Sequence, residues 1–242
     1  MDIWATISEL ATAVPLTLGI TFAAMAIGFC LALVAAALRI HRIPVVSHLF
    51  DFYVSYGRSV PVVLQLFGAF YALPLFLVKL GFTDFIDANI AAIIGLSLYH
   101  GAYLSEVIRP AYLAVDSGQH EAALSLGYDF RSKLTHVIAP QASHIALPGY
   151  GNSLIYLIHN VAIVMYIGAA DVMATAHLIM ERDHNQYQFE TYLLLAIFYS
   201  VLCLIAWLVV RWLERRSPMY AGGKPVSAGG TTKLKPAMLG SA

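Results

Sequence analysis

The chain has 242 residues, 60% of them hydrophobic and only 12% charged, with a mean hydropathy of +0.73. A soluble domain carries about 25% charge and about 45–50% apolar residues, so an ordinary cytosolic enzyme is excluded and a polytopic membrane protein fits. Fourteen Lys and Arg balance fourteen Asp and Glu, which leaves no bulk charge to attract nucleic acid or another polyanion. Cys30 and Cys203 both lie in apolar runs, against a disulfide framework or a thiolate metal site. No Lys or Arg precedes Arg39, so the basic start of a cleavable signal peptide is missing.

A bilayer core about 30 Å thick needs about 20 apolar residues in a helix. Five segments qualify: residues 14–38, 59–78, 88–105, 148–170 and 191–210. The expected fold is therefore an all-α membrane protein with five transmembrane helices, and its termini lie on opposite faces. Arg39, Arg42, Arg109, Arg131, Lys133 and the C-terminal Arg211, Arg215 and Arg216 share one side, with Arg58 at the mouth of the second span. The other side holds only Lys79 and Arg182, among Asp84, Asp87, Glu181 and Asp183. The positive-inside rule puts residues 1–13 in the periplasm and the C-terminus in the cytoplasm. The tail 217–242 is rich in Gly, Ser, Lys and Pro, a composition that favours disorder. No internal repeat marks an inverted-repeat secondary transporter.

The long linker of about residues 109–147 lies on the cytoplasmic side. Asp116 or Ser117 can cap a short helix starting near Gln119, and Glu121 in its first turn suits the helix dipole. Ala122, Ala123 and Leu126 give that helix a close-approach face, and Gly127 supplies a left-handed stop. A second helix, about Phe130–Val137, is expected to end before Pro140. This helix–Gly–helix unit reads either as a docking element or as a connecting or re-entrant loop.

Intramembrane polar groups are costly and face a cavity or a helix partner. Gln65, His100, Asn152, His159 and Asn160 are therefore candidate pathway residues, with interhelical hydrogen bonding as the alternative role. Glu106 and Arg109, three apart on one helix, are spaced for an ion pair. Asp171, at the outer end of span four, could meet a binding protein or a cationic solute. The nine His residues are scattered, with no H-E-x-x-H or G-x-S-x-G and no metal-ligand spacing, so a membrane enzyme lacks a nucleophile, base or metal set.

Glu121-Ala122-Ala123, Gly127, Ile138 and Pro140-Gln141-Ala142 together resemble the EAA loop of ABC-transporter permeases of the binding-protein-dependent importer type. Arg58-Ser59-Val60-Pro61 with Gln65-Leu66 resembles the RGTP…QL segment of polar amino-acid permeases. Gly101-Ala102-Tyr103 with Glu106 and Arg109 resembles their GAY..E..R block. Gly118-Gln119 and Leu213-Glu214-Arg215-Arg216 fit the same pattern, which covers about residues 17–216. The resemblance implies the type I importer (MetI-like) permease fold over 14–216 in the bacterial cell inner membrane. It implies two ABC ATPase subunits, a second permease, a periplasmic amino-acid-binding protein and surrounding membrane lipid as partners.

The same resemblance makes Glu121 to Gly127, with Ile138 and Pro140, the segment that couples to the ATPase. No G-x-x-x-x-G-K-[S/T] loop occurs in the chain, so ATP is expected on the partner subunit, with no cofactor and no enzymatic activity here. His159-Asn160-Val161-Ala162 stands where many relatives carry a Lys-Asp/Ser-Thr-Ser stretch, which makes His159 and Asn160 the foremost pathway candidates. Ala146-Leu147-Pro148 with Asn152 and His159 looks closest to the M-type subunit of the histidine and lysine/arginine/ornithine importer, which pairs with a Q-type permease. That implies import of basic amino acids or an opine. An ATP-independent secondary transporter or channel would share the five spans but gives no reason for the EAA spacing.

Overall fold

The computed structural model describes residues 3–82 and 86–216, and every regular element among them is helical. Helix α1 runs Ile3–His41, without a break at Pro15. It therefore begins well before Val14, where the hydropathy alone would start it. Helix α2, Val46–Ser59, occupies what the span-by-span reading leaves as linker; its buried Ser47, Val54 and Gly57 recur at helical spacing and define one inward face. The second crossing, Val62–Lys79, consists of α3 (Val62–Phe67), a π-turn (Gly68–Ala72) and α4 (Leu73–Lys79). The π-turn precedes Pro74, so the register has already shifted where the proline lacks its N–H.

Helix α5, Ala88–Leu113, is capped by Asp87, whose side chain accepts from the amides of Asn89 and Ile90. Helices α6 (Ser117–Ser125) and α7 (Phe130–Lys133) follow. A π-turn over Leu134–Ile138 then leads into α8 (Ala139–Val161) and a 3-10 turn (Ala162–Ile167). Phe130–Ile167 is thus one continuous 38-residue crossing, and Pro140 does not stop the second helix of the linker. The Ala139 amide already bonds the Leu134 carbonyl five residues back, so Pro140 enters where the α-register is interrupted. Helices α9 (Val172–Arg182) and α10 (Gln188–Arg216) complete the chain. The tail 217–242 lies outside the described residues.

The five long apolar helices expected from hydropathy are present. Helix α5 is central, with 56% of its apolar window buried, whereas α10 has 17% and keeps most of its surface for lipid or protein. Ile20 and Ala24 of α1, Leu66 of α3, Ala92 and Leu96 of α5 and Leu157 and Val161 of α8 form the main core. A second cluster joins Leu10 and Ala13 of α1 to Val172, Ala176 and Ile179 of α9 and Leu195 of α10. Small residues set the spacing: a Cβ on Gly57 of α2 would stand 2.5 Å from the Cβ of Ala102 on α5.

Candidate functional site

Helix α6 is built by local chemistry. Asp116 accepts from the Gly118 amide at 2.6 Å, satisfying one of the free donors at the helix start. At the other end Gly127 has φ +79, its amide bonds the Leu124 carbonyl and the Tyr128 amide reaches back to Ala123. This paired closure needs a left-handed residue at Gly127. Asp129 then caps α7, accepting from the Ser132 amide at 3.0 Å, and the hydrogen bonds from Ser132 hold its carboxyl below the usual carboxylate range.

The outward face of α6 differs from the small-residue face expected. Glu121 and Ala122 are exposed, but Ala123 is buried within the chain. Its methyl is small enough for α6 to lie against the Leu134–Ile138 turn, where Ile138 is fully buried. Leu126 (77% exposed) projects with Ala122 as expected, and Leu124 (58% exposed) takes the place of Ala123. The apolar exposure of Leu124 beside a charged Glu121 is the feature that the residue pattern alone did not single out. Pro140 is exposed on the first turn of α8. Next to it, Gln141 donates to the Gln119 side chain at 3.2 Å and to the Val137 carbonyl at 2.9 Å, joining α6 to α8.

The candidate pathway residues fall into two groups. Gln65 is buried, and its amide donates to the carbonyls of Gly57 and Val60 at 2.9 Å each, closing the end of α2. His100 is buried beside α1 and meets the Ser153 hydroxyl of α8 at 3.3 Å through Nδ1. Asp171 is buried and caps α9, accepting from the Ala174 amide at 2.9 Å and from the Tyr199 hydroxyl at 3.5 Å. Burial pushes its carboxyl up to about 6, against the opposing effect of hydrogen bonds from the Ala174 and Met173 amides and Tyr199. These three side chains hold helices together, and the buried Nε2 of His100 is left without a hydrogen-bond partner among the described residues.

Asn152 and His159 are exposed, and Asn160 is half-buried. With Tyr156, 62% exposed, they make one stripe along α8. His159 Nε2 lies 3.3 Å from Cys203 Sγ on α10, while Asn160 hydrogen-bonds Tyr99 of α5. Tyr99 in turn packs on Tyr103, with ring centroids 4.7 Å apart. The stripe is therefore flanked by α5 on one side and α10 on the other. Tyr99 and Tyr156 escaped the sequence reading and Tyr103 entered it only as part of the GAY block, although tyrosines at positions i and i+4 of a crossing helix are a signal for a polar aromatic face.

Glu106 does not pair with Arg109. Its carboxylate binds Arg39 of α1 and, at 3.1 Å, Arg58 of α2, while Arg39 also reaches Asp51 of α2 at 2.6 Å. Three helices meeting at one carboxylate satisfy more charge than an i,i+3 pair on α5 alone.

The model of the family described as "binding-protein-dependent transport system inner membrane component" matches residues 5–217. The chain belongs to this family. This permease is 36% identical over 187 residues to the probable amino-acid ABC transporter permease protein PatM of Vibrio harveyi, covering 77% of this chain and 81% of that one. It is 37% identical over 203 residues to the probable amino-acid permease protein YxeN of Bacillus subtilis, covering 84% and 88%. Among solved structures, an amino acid ABC transporter with histidines superposes at a TM-score of 0.76 with 31% identity, covering 89% of the permease and 99% of that chain. The methionine ABC transporter MetNI, at 21% identity and a TM-score of 0.68 over 87% and 98%, shares the fold.

The permease is the membrane component of an amino-acid ABC importer, in which the ATPase is a separate subunit and a binding protein delivers the solute.

Proposed function

We propose that this permease imports basic amino acids, such as histidine, arginine, lysine or ornithine, or an opine, across the bacterial inner membrane. The N-terminus is periplasmic and the C-terminus cytoplasmic, which sets α6 at the ATPase. The observation that carries the mechanism is the bond between Gln141 and Gln119, because α8 then moves with α6. Glu121, Ala122, Leu124 and Leu126 seat α6 in a groove of one of two ATPases, and Gly127, Ile138 and Pro140 fix its angle to α8. Closure of the ATPases displaces α6 as a rigid body and swings α8, with its polar stripe, between the two faces. ATP stays on the partner, and this chain carries no cofactor of its own.

A second permease of the Q type closes over the exposed stripe of Asn152, Tyr156, His159 and Asn160 and encloses the pathway. Gln65, His100 and Asp171 hold its walls in place. Tyrosine faces attract an ammonium or guanidinium, which supports a cationic substrate. Among the relatives, one Bacillus subtilis protein is called an arginine transport permease at 35% identity and another an L-cystine transport permease at 34%, so a basic substrate is compatible with the family without being forced by it.

The test is uptake into proteoliposomes holding the reconstituted complex, with luminal ATP, binding protein and a panel of labelled amino acids. ATP-dependent accumulation of a cationic amino acid is expected. Preference for a neutral one would overturn the substrate class, and accumulation that follows an ion gradient without ATP would overturn the coupling.

A further inference from the structure

The outer face of α10 near its end combines features that the transport mechanism does not use. Trp207, Leu208, Arg211, Trp212 and Arg215 line a recess of about 450 Å3 on the surface of this one helix. They fall on one side of the helix because their spacings are three, four and one. Arg211 lies over the Trp207 ring at 4.8 Å, and Arg216 over the Trp212 ring at 4.0 Å. Both tryptophans stay open to the surroundings, at 42% and 50% exposure.

A guanidinium stacked on a ring by its flat face keeps the N–H donors around its rim free. Among the described residues, none of Arg211, Arg215 and Arg216 forms an ion pair with a carboxylate. Glu214, the one acid on this last stretch, is half-buried and is not among the residues that line the recess. About one turn further into the apolar part of the helix, Leu204 continues the exposed face of Leu208. A strip of leucine thus leads from the hydrocarbon to a tryptophan level and then to unpaired guanidinium groups. Tryptophan favours the headgroup level of a bilayer, and arginine beside it attracts anionic lipid.

We propose that Arg211 and Arg215, framed by Trp207 and Trp212, form a binding site for the headgroup of an anionic membrane phospholipid, with an acyl chain along Leu204 and Leu208. The phosphate accepts from the two guanidinium groups, and their positive charge selects an anionic over a zwitterionic lipid. The site is independent of the substrate and of the coupling segment. It anchors the end of α10 at a fixed depth in the bilayer.

The chain contains three tryptophans, so a Trp4→Phe variant reports from Trp207 and Trp212 alone. The full chain carrying that substitution is placed in nanodiscs containing equal amounts of phosphatidylglycerol and phosphatidylcholine. Bromine atoms, which quench indole fluorescence on contact, are carried on the acyl chains of one lipid or the other. Quenching several-fold stronger from brominated phosphatidylglycerol is expected, and the added Arg211→Gln and Arg215→Gln substitutions should bring the two lipids to equality. Equal quenching by both lipids without those substitutions would overturn the site, because it describes an unselective lipid annulus. Absence of quenching by either would also overturn it, because the face is then covered by protein.

Discussion

The side-chain amide of Gln141 on α8 donates to Gln119 Oε1 on α6 at 3.2 Å, across 22 positions of sequence. It is the polar link between the short helix that projects from the fold and the long helix that carries the pathway stripe. A neutral hydrogen bond contributes about 0.5–1.5 kcal/mol. Gln141→Leu should therefore leave membrane abundance unchanged and lower the uptake obtained per ATP hydrolysed several-fold. Side-by-side uptake and hydrolysis in proteoliposomes would show it, and an unaltered ratio would remove Gln141 from the coupling path.

Gly127 offers a sharper test. No atom lies within 4 Å of where its Cβ would stand, so crowding inside the chain does not constrain it. Its φ of +79 does. A left-handed conformation costs an ordinary residue about 1–2 kcal/mol, more with β-branching, while Asn tolerates it. Gly127→Val should abolish uptake with normal membrane levels, and Gly127→Asn should retain most of it. Equal activity of the two variants would show that the backbone turn is not what matters.

The contact of α2 with α5 predicts a stability effect. Gly57→Ala places a methyl 2.5 Å from the Ala102 methyl, and overpacking of this kind costs about 1–3 kcal/mol. Adding Ala102→Gly should restore much of the loss. Thermal unfolding in detergent of the two single variants and the double variant completes the cycle; purely additive losses would place the strain elsewhere.

Asp171 introduces a pH dependence. Its carboxyl titrates at about 6 in the fold against an ordinary 3.8. A raised value means that the protonated form favours the fold, fully so below about 3.8, and that this contribution is lost as pH rises through about 6. Asp171→Asn keeps a competent helix cap and cannot ionise. The variant's melting temperature should therefore gain on that of the parent between pH 4.5 and pH 7.5. A constant difference across that range would remove Asp171 as the source.

Five apolar crossings and the family were legible in the chain because hydropathy and the EAA spacing are both local signals. Helices α2 and α9 were not, since each is short and gains stability from a neighbour: Val54 and Gly57 from α5, Ala176 and Ile179 from α1 and α10. The partner of Glu106 was missed for the same reason. Arg39 is 67 positions away, a separation that only the packed helices close. Ala123 and Leu124 showed the limit of a motif, because composition supplied a helix with a close-approach face but not which of its residues faced inward.

The length of α1 has a consequence of its own. Its 39 residues measure about 58 Å at 1.5 Å per residue, nearly twice the hydrocarbon thickness of about 30 Å. Tilting cannot absorb the excess, since that would need about 60° and spanning helices reach about 40°. The helix must therefore extend into water. Its first turns are braced there against α9 by Leu10 and Ala13 and by the ion pair of Glu9 with Arg182 at 2.9 Å. A rod anchored in this way at one end and clamped by Asp51 and Glu106 at the other can transmit force from one aqueous compartment to the other without itself changing length.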